Sequence, residues 1–143
     1  MSPKISCNAL EGITTPQTLK IEGHIKKKNL IVLIDSGSTH NLIHYKVAKE
    51  LNCFLYPAPE CQVMVSNGGT INFSGKCHNI KLAMGEYVLN IPMLSIPMEG
   101  VDVVLGVQWL QSLGMVAFNF QESFLKYFSE GKEVQVQGMI GKP

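Results

Sequence analysis

An aspartate, three hydroxyl side chains and a glycine stand together at Asp35-Ser36-Gly37-Ser38-Thr39, directly after the apolar run Leu30-Ile31-Val32-Leu33-Ile34. A carboxylate at the end of a core strand is costly unless donors meet it or a proton neutralises it. The four residues after Asp35 supply those donors as hydroxyls and amide N–H groups. Gly37, with no Cβ, lets another backbone or a substrate come close. The pattern therefore suits one carboxyl group, part-buried and hydrogen-bonded, at the floor of a site. Three readings fit it: an ordinary Asx turn, one half of a pair of carboxyl groups sharing a proton, or a hairpin whose loop N–H groups face phosphate oxygens.

Other side chains capable of chemistry are scattered. Asp102 is the second of the two aspartates in the chain. It falls inside an apolar run with no Ser/Thr-Gly after it, which makes it a poor partner for Asp35. His24, His40, His44 and His78 lack ligand spacing; His40 and His44 stand four apart without the glutamate of a zinc-protease helix. A surface or capping role is expected for both. Cys7, Cys53, Cys61 and Cys77 form no C-x-x-C pair and no regular metal spacing, and they read as reduced thiols of an intracellular protein. Lys26-Lys27-Lys28 reads as a solvated hairpin tip rather than a binding patch.

Composition narrows the class. One domain is expected over residues 1–143, with its core at about 4–140. A hydrophobic fraction of 45% and a mean hydropathy of +0.13 fit an ordered core. A net charge of +1 lacks the basic excess of a nucleic-acid surface. No apolar run approaches the ~20 residues of a membrane span, and the first ten residues lack the apolar core of a signal peptide.

The elements that must position Asp35 follow from periodicity. Residues 19–25 alternate apolar and polar, and residues 26–29 turn the chain into the Asp35 strand, forming a hairpin. Residues 41–52 shift to helical spacing through Leu42, Ile43, Val47, Ala48 and Leu51, with Thr39 or Asn41 as cap. Val63-Met64-Val65 and residues 70–73 flank Ser66-Asn67-Gly68-Gly69, whose Asn-Gly-Gly favours a hairpin. Such a hairpin is either an ordinary surface turn or a mobile flap that closes over a ligand. Residues 76–83 and 87–94 read as strands around a turn at 84–86. Val104-Leu105-Gly106 ends a second buried strand, and residues 107–113 form a short helix stopped by Gly114. Residues 115–120, 124–128 and 133–137 complete an all-β, barrel-like domain of about ten strands with two short helices.

The order of these parts resembles the retropepsins, the retroviral-type aspartic proteases: Ile34-Asp35-Ser36-Gly37, then Val65-Ser66-Asn67-Gly68-Gly69, then Val104-Leu105-Gly106. More specifically it resembles the protease segment of plant-type gypsy-class LTR retrotransposon polyproteins, through residues 5–10, 33–42 and 102–114. Two places depart from that pattern: Ser66 stands where Ala is common, and Ala117-Phe118-Asn119-Phe120 where Trp-Asp-Phe is common. The resemblance implies a closed acid-protease barrel that works as a C2 homodimer, with Asp35 as the catalytic acid of each subunit. It implies that Ser36 bonds across the dimer, that Ser38 and Thr39 complete the loop, and that Val65 to Gly69 cover a bound peptide. It implies Val104, Leu105 and Gly106 as structural support behind the site. The activity implied is endoproteolysis of a Gag-Pol polyprotein in a cytoplasmic particle, without metal, cofactor, nucleic acid or membrane. A pepsin-like enzyme would need about twice the length, and an actin-like phosphotransferase a second lobe and a second phosphate loop. A retropepsin fold without catalysis, serving dimerisation or peptide binding in a domesticated element, is the alternative.

Overall fold

The computed structural model describes residues 4–5, 18–57, 62–65, 70–72 and 75–139. Fifteen strands and two short helices appear among them. The alternating segment 19–25 forms β2 (Thr18–Ile25), which pairs antiparallel with β3 (Lys28–Asp35) along its whole length. Lys26, at φ 55°, makes the tight turn between them.

The expected helix from residue 41 starts later than its periodicity suggested. Leu42–His44 form β4, and only Tyr45–Glu50 form α1. Leu42 and Ile43 are apolar enough to be drawn into the sheet, where tertiary burial outweighs local helical spacing. The cap also differs: His44 Nδ1 accepts from Lys46 N at 3.1 Å, so neither Thr39 nor Asn41 serves.

After α1 come β5 (Leu55–Tyr56), β6 (Gln62–Val65), β7 (Thr70–Asn72) and β8 (Gly75–Cys77). The strand expected over 76–83 is broken at 78–80, where Asn79 takes φ 59°, and resumes as β9 (Lys81–Met84). β10 (Tyr87–Asn90) and β11 (Met93–Ile96) likewise replace one expected strand; Pro92, which has no N–H to donate, falls between them. β12 (Val103–Leu105) and α2 (Val107–Ser112) follow, with Gly114 at φ 75° just past the helix. β13 (Val116–Asn119), β14 (Phe124–Ser129) and β15 (Lys132–Gln137) form a separate antiparallel sheet.

Nine strands make the principal sheet, in the order β10-β9-β2-β3-β12-β4-β11-β8-β5. It is a curled half-barrel, and among the described residues no pairing joins β10 to β5 to close it. Its centre is the sequence-distant strand β12, which lies parallel to β3 and antiparallel to β4. Alternation sends Val32, Ile34, Ile43, Val103 and Leu105 to one face, and Leu33, Leu42 and Val104 to the other. The first face joins a large core that includes Trp109, Leu125 and Tyr127; the second is covered by Leu94, Ile96, Met98 and Val101. Burial on both faces accounts for the unbroken apolar runs in β3 and β12. A third sheet, β1 (Lys4–Ile5), β6 and β7, holds the expected hairpin arms: Val63 opposes Ile71 and Met64 opposes Thr70.

Candidate active site

The last residue of β3 is Asp35, opposite Thr18 of β2 and next to the β12 strand. Its side chain is 3% exposed. Gly37 N donates to Oδ1 at 2.8 Å, and Ser38 Oγ donates to Oδ2 at 3.2 Å. Ser38 N also donates to Asp35 O at 3.2 Å, which closes the turn. The buried carboxyl group thus meets donors from its own loop, as buried polar groups must. Ser36 and Gly37 are exposed beside it, whereas Ser38 is fully buried. Thr39 Oγ1 lies 2.8 Å from His40 Nδ1.

The loop rests on the end of β12 and the start of α2. Val107 N donates to Ser38 O at 2.7 Å, and Gln108 N to Thr39 O at 3.0 Å. Gly106 sits at φ −100°, an ordinary backbone conformation, so its glycine is there for space. A Cβ at this position would collide with Ser38 O and lie 2.7 Å from His40 O. Asn41 completes the junction: it is buried, and its Oδ1 accepts from Gly106 N at 3.0 Å. Sequence reasoning overlooked Asn41 as a site residue; the polar side chain next to the apolar pair Leu42-Ile43 was its only signal. Val104 and Leu105 lie fully buried behind the loop, level with Leu33 and Ile34 of β3.

Asp102 is placed differently from expectation. It precedes β12 rather than lying within it, and it ties strands together: Ile31 N donates to its Oδ2 at 2.8 Å, while His44 N donates to its backbone oxygen at 2.8 Å. Val65 ends the β6 arm, and Ser66, Asn67, Gly68 and Gly69 lie outside the described residues. Among the described residues no group of three or more His, Cys, Asp or Glu side chains could hold a metal ion. Cys53 and Cys77 are free thiols, and burial, together with the neighbouring Cys53, pushes the Cys77 thiol up to about 12.

A buried strand ending in an acid loop, a hairpin, and a second strand ending in glycine beneath that loop define the retropepsin-like class of fold. Comparison with solved structures agrees: the retroviral protease-like domain of Ddi1 from Leishmania major superposes with a TM-score of 0.65 at 12% identity, covering 87% of this chain and 95% of that one. Residues 31–123 match the profile of the PEG10/RTL1 protease domain, and the chain belongs to that family. A comparison with curated proteins finds no match.

Proposed function

We propose that the chain is an aspartic endopeptidase that acts as a C2 homodimer and processes a Gag-Pol-type polyprotein of a plant-type gypsy element in a cytoplasmic particle. The observation that carries this reading is the buried Asp35 carboxyl group, gripped by Gly37 and Ser38 while Ser36 and Gly37 stay exposed at its side. Chemistry of this class needs two carboxyl groups about 3 Å apart sharing one proton. One chain offers a single such group, since Asp102 is engaged by Ile31. A two-fold axis beside the exposed Ser36-Gly37 edge brings a second Asp35 to the first. One carboxylate then takes a proton from water as that water attacks the scissile carbonyl. The other, protonated, donates to the carbonyl oxygen. Ser36 would fasten the two loops across the axis, the half-barrels would complete an enclosed dimer, and the hairpin from Val65 to Gly69 would cover the peptide.

A strictly monomeric form would hold one acid and no dyad, leaving a dimerisation or peptide-binding module of a domesticated element. The two readings separate in one experiment: incubation with a mixed peptide library at pH ~5, with and without pepstatin, alongside sedimentation at rising concentration. The expected result is pepstatin-sensitive cleavage that appears with the dimer and is lost in Asp35→Asn, which keeps the native fold. Cleavage by a strict monomer, or by Asp35→Asn, overturns the reading.

A further inference from the structure

The far end of the principal sheet carries an exposed aromatic wall that the acid loop does not use. Phe54 is 68% exposed and Tyr56 46%. Their rings meet at 4.7 Å, and Tyr56 meets His78 at 4.7 Å, both edge to face. Phe54, with Asn52 and Cys53, lines two cavities. One, of about 410 Å³, has Ile25, Leu51 and Ile80 in its lining; the other, of about 500 Å³, has Ala48 and Leu55. Their charged lining groups are all cations: Lys26 and Lys81 in the first, Lys49 in the second. Glu50, on the same helix as Lys49, is engaged by Lys28. Neither Lys49 nor Lys81 has an ion pair among the described residues. β5, which carries Tyr56, is the outermost strand of the sheet, and among the described residues no strand pairs with its outer edge.

Apolar hollows, cations that form no ion pair among the described residues and a strand edge that no described strand covers together describe one kind of occupant. We propose that this face docks an extended acidic peptide segment bearing aromatic or large aliphatic anchors. The anchors enter the two hollows that Phe54 lines, the carboxylates meet Lys26, Lys49 and Lys81, and the peptide backbone runs along β5. A single-stranded nucleic acid fits less well, because the rings stand at 70° and 75° to one another and offer no flat stacking platform. The same neighbourhood gives the Lys26-Lys27-Lys28 turn a role beyond solvation, since Lys26 lines the first hollow.

The test is fluorescence anisotropy at low salt with a labelled peptide alternating aspartate with phenylalanine and leucine. Saturable binding is expected in the wild type and equally in Asp35→Asn, which makes the result independent of protease activity. Phe54→Ala, whose side chain is too exposed to hold up the core, should weaken binding about tenfold, as should the pair Lys49→Glu and Lys81→Glu. Lys132→Glu, on the separate sheet, should leave it unchanged, and added salt should weaken it. The inference is overturned if no saturable binding occurs, if both variants bind like wild type, or if oligothymidine binds as tightly as the peptide.

Discussion

Replacing Gly106 by alanine should damage the acid loop without touching the acid. The added Cβ would overlap Ser38 O and stand 2.7 Å from His40 O and 2.9 Å from Ser38 C. All three atoms are backbone, so no side chain can swing away, and relief requires the loop or the β12–α2 junction to move. That movement would disturb Val107 N to Ser38 O at 2.7 Å and Ser38 Oγ to Asp35 Oδ2 at 3.2 Å. Overpacking costs about 1–3 kcal/mol, and the rigid surroundings place this case near about 3 kcal/mol. For a chain of this size that corresponds to a fall in Tm of about 10 °C. Gly85→Asn is the control: nothing lies within 4 Å of a Cβ there, and asparagine tolerates its φ of +62°. Its effect should stay within about 0.5 kcal/mol. Thermal melts by circular dichroism measure both, and amide shifts of residues 35–40 report the loop. If Gly106→Ala melts within a degree or two of wild type with those shifts unchanged, the steric account of the glycine is wrong.

Two further outcomes follow from the same geometry. Asn41→Ala leaves the buried Gly106 N–H without its acceptor and should cost about 1–3 kcal/mol, as read from urea midpoints. The Cys77 thiol, raised by burial and by Cys53 from 9.0 to about 12, should stabilise the fold fully below pH 9. Between pH 9 and about 12 the unfolded thiol releases its proton while the folded one keeps it, so stability should fall as pH rises. Cys77→Ala should flatten that decline, and an unchanged slope in the variant would refute the assignment.

Local features carried much of this architecture into plain view. The Leu30-to-Ile34 run marked a strand buried on both faces, and Asp35 does end it. The backbones of β6 and β7 pair antiparallel with Val63 in register with Ile71, as the two arms predict, and Gly114 follows α2, the expected place for a helix stop. What escaped notice depends on partners far away in sequence. Leu42 and Ile43 fit helical spacing, yet β11 and β12 claim them as a strand. Asp102 looked like part of a strand because the amide of Ile31, 71 positions earlier, cannot be read from its neighbours. Asn41 resembled a helix cap until Gly106 N took its oxygen. The sequence shows which residues want burial or donors; only the assembled sheet decides who satisfies them.

The place of β12 between β3 and β4 has an outcome for synthesis on the ribosome. Those two outer strands emerge early and are joined by the very loop that bears the acid, but the strand that separates them emerges some 60 residues after β4 begins. A nascent chain halted before Leu105 therefore has an aspartate with no floor beneath its turn. A truncated translation product carries the motif but not the platform, and the Asp35 loop gains its support only once the late strand has threaded home.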